Sequence, residues 1–366
     1  MNDAMRKWAK ALVGFSAEVK PGNTVAIQGG PVAEPLLRAV YREVLELGGL
    51  PVMLPIFETL RADMLTLGSD EQLSYLTPIE KFVRTEADVV VQIISDANTR
   101  SLAGVNPERQ AIFQKARGEL FKAFMEREGR NEVEWTLTLY PTDGMAQDAD
   151  MSTADFAEFI YRACKLHTDD PVAAWKELGK EQQRLIDWLD GREHVHIIGP
   201  GTDLHLSVKD RTWINCDGKK NFPDGEIFTA PVENATNGYV TYSVPAIYGG
   251  REVAGIRLEF ENGRVVNASA ERGEDLLLRQ LDVDEGARVI GEFAFGTNFD
   301  IQRVTRQMLF DEKIGGTIHI ALGEAYTESG GTNTSAIHWD MLCDLRKGGR
   351  VEVDGEPFLV DGQYVV

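Results

Sequence analysis

Apolar positions in the first half of the chain fall into short solid runs separated by longer amphipathic stretches. Residues 24–28 (TVAIQ), 51–54 and 88–94 (DVVVQII) are too short for helices and apolar on both faces, the pattern of strands buried in a parallel sheet. Between them, residues 33–47 read as a helix that follows Gly29-Gly30-Pro31 and is closed by Gly48-Gly49. A charged helix is expected over 107–128, a strand over 134–139, and two more helices over 153–165 and 171–189. The first fifteen residues place Met5, Trp8, Ala9, Leu12 and Phe15 near one helical face, without the long apolar core of a signal peptide. This rhythm predicts an α/β domain over residues 1–190, a parallel sheet with helices on both faces.

From His194 onward the period changes to two. Residues 194–198 and 204–208 flank Gly199-Pro200-Gly201-Thr202-Asp203 and read as a hairpin. Further strands are expected at 238–244, 255–260, 264–268, 289–295, 317–322 and 336–343, separated by turns such as Glu261-Asn262-Gly263 and Asp354-Gly355. Residues 191–366 are therefore expected to form a mainly antiparallel, β-rich (α+β) domain that carries the chemistry.

Composition narrows the function classes. The 366 residues include 58 acidic and 38 basic side chains, a formal net charge of −20, which repels phosphate backbones and argues against a nucleic-acid partner. Cys164, Cys216 and Cys343 are far apart and form no CxxC pair, so neither a disulfide framework nor a thiolate zinc site is expected, and a reduced, cytoplasmic compartment fits. The apolar runs are too short to cross a membrane. Gly199-Pro200-Gly201 leads into a strand where a dinucleotide loop needs a helix, Gly330-Gly331-Thr332 lacks the lysine of a phosphate loop, and neither HExxH nor GxSxG occurs.

What stands out are polar residues set inside apolar strands. In Ile337-His338-Trp339-Asp340-Met341, His338 and Asp340 share one strand face while their neighbours face a core, a natural pair of ligands for a divalent metal. In Ile318-His319-Ile320-Ala321-Leu322, His319 lies opposite the apolar face beside small Ala321. Glu292 interrupts the apolar run Val289–Phe295 and needs a cation or a proton if buried. Glu226 opens a strand after Pro223-Asp224-Gly225. His194 and His196 also alternate, but without a carboxylate on their own strand they read as structural or surface residues, and Glu324 and Glu328 default to solvent.

The stretches FPDGEIFTAP (222–231), GEFAFGTN (291–298), HIALGEAY (319–326) and AIHWDM (336–341), in that order, resemble the signature segments of the aminopeptidase T and aminopeptidase S family of metallopeptidases. The N-terminal half resembles that family only in its α/β character and in VKPGNTVAI (19–27). The resemblance implies a metal-dependent aminopeptidase with two divalent ions, commonly zinc or cobalt, with manganese or magnesium as alternatives. It implies Glu226, Glu292, His319, His338 and Asp340 as ligands, Tyr326 as the active-site tyrosine, and a homodimer enclosing a cavity. One departure is the short connection, His319 to His338, which bears on the cavity wall.

Five ligands exceed the needs of one tetrahedral ion and suit two ions that activate a water for attack on the first peptide bond. Glu292 is then the candidate general base and Tyr326 the oxyanion donor. Two other readings use the same residues. One is an Fe(II) ring-cleaving dioxygenase of the dihydroxypyridine type, which needs two histidines and one carboxylate and is disfavoured by carboxylates at both 226 and 292. The other is a non-catalytic metal- or peptide-binding protein.

Overall fold

The computed structural model describes residues 3–248 and 250–366. They form two compact units, Met1–Ala173 with Gly218–Pro223, and Ala174–Asp217 with Asp224–Val366.

The first unit is built on a five-stranded parallel sheet in the order Leu50–Pro55, Thr24–Gly29, Val89–Ile94, Glu134–Leu139, Asn221–Phe222. The expected strands and helices are present, and the parallel pairing follows from runs that are buried on both faces. Ala26 and Val90 pack with Val83 and Phe124 on one side. Their neighbours Val25, Ile27, Val89 and Val91 are equally buried and, by the two-residue period, point to the other. The N-terminal helix Asp3–Lys10 continues through Ala11–Ser16 as a π-helical stretch and buries Met5, Trp8, Leu12 and Phe15. Trp8 also donates its indole N–H to Thr138 Oγ1 at 3.2 Å.

Three helices between the second and third strands escape the apolar pattern: Glu58–Leu67, Asp70–Ser74 and Pro78–Thr85. The last two announce themselves by their ends. Ser69 with Gln72, and Thr77 with Glu80, form reciprocal capping boxes.

The second unit contains two large antiparallel sheets and a two-stranded one, Ala246–Tyr248 with Arg251–Val253. An eight-stranded sheet runs Arg264–Ser269, Arg257–Glu261, Asn237–Thr241, Thr202–Ser207, His194–Gly199, Arg350–Val353, Glu356–Val360, Gln363–Tyr364. A five-stranded sheet runs His338–Cys343, Ile318–Gly323, Ile290–Gly296, Glu226–Thr229, Ile214–Cys216. One face of each contributes to a common core. Val195, Ile197, Leu204 and Leu206 from the larger sheet meet Phe293, Phe295, Ile318, Ile320, Leu322, Trp339 and Met341 from the smaller. Leu185 and Leu189 join that core, so the helix Pro171–Leu189 contributes to the second unit. The 199–203 segment is the expected hairpin, with His194–Gly199 paired to Thr202–Ser207. Among the described residues no helix is long and apolar enough to cross a membrane.

Candidate metal centre

The alternation that packs the small sheet also builds a polar cluster on its other face. Phe293 and Phe295, Ile318, Ile320 and Leu322, and Trp339 and Met341 enter the core. The intervening side chains therefore face away from it: Glu292 and Ala294, His319 and Ala321, His338 and Asp340. Register brings them together. Ala321 stands between Glu292 on one neighbouring strand and Asp340 on the other, while Gly323 is opposite His338 and Gly296 opposite Glu226. Ala321 leaves open the space that a longer side chain would fill. Gly323 has φ +106, and a Cβ there would meet the Ile337 carbonyl oxygen at 2.1 Å, so only glycine lets the strand approach its neighbour next to His338.

All five expected ligands converge. His319 Nε2 lies 3.2 Å from Glu292 Oε1 and 3.5 Å from Glu226 Oε2. His338 Nε2 lies 3.3 Å from Glu292 Oε2 and 3.4 Å from Asp340 Oδ1. The two oxygens of Glu292 thus address two different histidines. Two sets of three possible ligands result, Glu226–Glu292–His319 and Glu292–His338–Asp340, sharing Glu292. Each histidine is held by its other nitrogen: His319 Nδ1 is 3.1 Å from the Glu312 carbonyl oxygen and His338 Nδ1 is 2.8 Å from that of Glu324. Donation from Nδ1 leaves Nε2 free to ligate, the usual device for orienting a metal-binding imidazole. Glu226 is 6% exposed, yet its Oε2 has no hydrogen-bond partner. A buried carboxylate oxygen left in that state is costly and fits a cation.

The electrostatics show the same strain. Burial pushes Glu226 up to about 8, with Lys313 opposing and the Glu312 charge adding to the rise. Burial would also raise Glu292, but hydrogen bonds from His319 and His338 outweigh it and hold the carboxylate down at about 2. Desolvation works against protonation of the histidines, and the carboxylates overcome it, lifting His319 to about 9 and His338 to about 11. In the metal-free protein Glu226, His319 and His338 favour their protonated forms where a cation fits.

Sequence reasoning missed a second layer. Lys313 is wholly buried; its ammonium lies 3.0 Å from Glu226 Oε1 and 3.7 Å from Asp224 Oδ1 and is paired with Glu312. Glu312 joins His319 and Asp340 in a third set of possible ligands. Gln182 donates from Nε2 to the backbone oxygens of Glu226, at 2.5 Å, and Cys216, at 3.1 Å, fixing the start of the Glu226 strand. In Phe310-Asp311-Glu312-Lys313, two acids followed by a base carry no period that would mark them as buried, and the one available signal is the Gly315-Gly316 pair just before the His319 strand.

Tyr326 lies at the rim, 45% exposed, its ring 5.1 Å from that of His338 and 5.4 Å from that of Phe228. Desolvation first, and then the carboxylate charges, push its hydroxyl pKa up. Glu324 serves the site through its carbonyl; its carboxylate accepts from the Ser335 N–H at 2.5 Å. His196 lies elsewhere, on the large sheet. A cleft of about 250 Å³ reaches Asp340 and is lined in part by Val244, Ala246, Ile247, Met308 and Leu342.

The family model for the thermophilic metalloproteases (M29) matches residues 1–364. The chain belongs to this family. Membership makes it a metallopeptidase, a hydrolase dependent on divalent metal. Aminopeptidase T of Thermus thermophilus is 31% identical over 75% of this chain and 76% of its own. Aminopeptidase PepS of Streptococcus thermophilus is 26% identical over 99% and 98% of the two chains. That alignment runs to 414 positions against 366 residues here, so the relative carries segments this metallopeptidase lacks. The solved structure of wild-type AmpT from Thermus thermophilus superposes with a TM-score of 0.87, at 26% identity and 99% coverage of both chains. The fold expected from sequence, a parallel α/β part followed by a mainly antiparallel part, is the fold of this relative.

Proposed function

We propose that this metallopeptidase is an aminopeptidase that hydrolyses the first peptide bond of peptides with a free N-terminus, using two divalent ions held by Glu226, Glu292, His319, His338 and Asp340. The observation that carries the proposal is Glu292, whose two oxygens reach toward separate histidines in two ligand sets. Charge supports the count. Asp224, Glu226, Glu292, Glu312 and Asp340 supply five carboxylates, and Lys313 one ammonium, leaving an excess of four negative charges, the charge of two divalent ions. Mixed imidazole and carboxylate donors suit zinc or cobalt, with manganese or magnesium as alternatives.

When bound, such ions supply Lewis acidity and lower the pKa of a coordinated water toward neutrality. The protein's own part is to orient, hold and move protons. The Glu312 and Glu324 carbonyls fix the two imidazoles, and Lys313 holds Glu226 by its Oε1. Glu292 is the proposed acceptor of the proton from the attacking water, through an oxygen not taken up as a ligand. Tyr326, at the rim beside His338, is the proposed donor to the developing oxyanion. The cleft beside Asp340, lined by apolar side chains together with Arg306, Gln307 and Asp311, is the proposed pocket for the side chain at the peptide's N-terminus.

The Fe(II) dioxygenase reading needs a mononuclear two-histidine, one-carboxylate site and finds extra carboxylates here; family membership sets it aside. A homodimer with an enclosed cavity, a catalytic role for the β-rich second half and a cytoplasmic location complete the proposal, the last supported by three free cysteines. The deciding experiment is metal analysis combined with hydrolysis of matched free and N-acetylated peptides. Two ions per chain and cleavage of the free peptides only are expected. Equal cleavage of both would refute the aminopeptidase reading.

A further inference from the structure

A second group of potential ligands lies on the outer face of the eight-stranded sheet. His196 and His205 are directly paired across neighbouring antiparallel strands, and Glu352 is the partner of His196 on its other side. The residues between, Val195, Ile197, Leu204 and Leu206, fill the core, so the histidines face away from it. Their rings stack with centroids 3.8 Å apart and planes 16° from parallel. Asp203, two residues before His205, points to the same face. Its Oδ1 lies 2.8 Å from His196 Nε2 and 3.7 Å from His205 Nε2. Among the described residues no lysine or arginine pairs with Asp203; its charge faces these two imidazoles alone.

We infer that His196, Asp203 and His205 form a surface site for a borderline divalent transition ion, zinc or copper, distinct from the Glu292 cluster. The three donor atoms lie within 4.8 Å of one another. Donors bound at ~2.0–2.1 Å in a tetrahedral shell stand roughly 3.4 Å apart, and the two Asp203 separations bracket that value; on binding, the stacked rings turn out of parallel so that both nitrogen lone pairs meet the ion. Two imidazoles and a carboxylate are a donor set for zinc, copper or nickel and a poor one for magnesium or calcium. Glu352 Oε2 stands 3.9 Å from His196 Nδ1, the side from which a carboxylate steadies a ligating imidazole, while its Oε1 is paired with Arg350 at 3.1 Å. The site closes onto two strands of the hairpin and the site's ion ties them together.

The test uses zinc alone on the full chain. Equilibrium dialysis with elemental analysis compares the wild type with the His196→Gln/His205→Gln double variant. The expected result is one fewer zinc per chain at saturation, with peptide hydrolysis unchanged. Copper provides an independent reading. In a Glu292→Gln/His338→Ala background, one equivalent of Cu²⁺ should give an electron paramagnetic resonance spectrum with nitrogen couplings from two imidazoles. Adding the His196→Gln and His205→Gln substitutions should abolish those couplings. Equal zinc content in wild type and double variant, or nitrogen couplings that survive the added substitutions, would overturn the inference and leave His196–Asp203 as a surface hydrogen bond.

Discussion

Replacing Lys313 by methionine tests whether the buried ammonium holds the carboxylate cluster together. Lys313 has no exposed surface, and its nitrogen contacts Glu226, Glu312 and Asp224. Methionine preserves much of the volume and removes the charge. Taking one partner from a buried ion pair typically costs about 3–5 kcal/mol, because the remaining charge is left without compensation. For a unit of this size, 1 kcal/mol shifts Tm by roughly 2–4 °C, so the metal-free variant should melt about 6–20 °C below the wild type. The loss should depend on pH with a definite sign. Glu226 and Asp224 have folded pKa values raised to about 8 and about 7, and without Lys313 these rise further. The folded state then binds protons that the unfolded state does not, so stability falls as pH rises through that range and recovers in acid. Thermal unfolding followed by circular dichroism, on metal-stripped protein, measures both effects. A double-mutant cycle with Glu226→Gln should return a coupling of about 1–3 kcal/mol. A cost below about 1 kcal/mol, with additive effects in the cycle, would refute the argument.

The remaining expectations separate chemistry from metal holding and from assembly. Tyr326→Phe should lower kcat by about 10²–10³ with KM and metal content little changed; near-full kcat with metal bound would return Tyr326 to a packing role. Asp340→Ala should lose metal and activity together, measured by elemental analysis beside peptide hydrolysis. His319, His338 and Glu226 have pKa values raised above neutrality in the metal-free protein, so metal uptake at neutral pH should release roughly three protons per chain and tighten as pH rises. Calorimetry in buffers of different ionisation enthalpy reads this directly, and release near zero would contradict it. Light scattering at micromolar concentration should give a dimer; a monomer would remove the proposed enclosed cavity.

The residues that sequence reading located best are those whose surroundings are periodic. Glu292, His319, His338 and Asp340 interrupt apolar strands, and a two-residue period leaves them a single shared face. Glu226 carried no such pattern and was found through the segment around it. Glu312 and Lys313 were invisible because their burial comes from distant strands, while their local sequence is that of an exposed charged loop. His196 illustrates the complementary gap. Its carboxylate, Asp203, sits on the next strand, and only register, not spacing, brings the two together. The helices Asp70–Ser74 and Pro78–Thr85 are signalled by their capping boxes, which a reading based on apolar pattern passes over.

On the Ile318–Gly323 strand, the core and the ligand set are two phases of one register. A slip of one residue would turn Ile318 and Ile320 toward the polar face and drive His319 into the core. A misaligned sheet could not assemble the cluster, so a filled site would report that the central strands are in the correct frame.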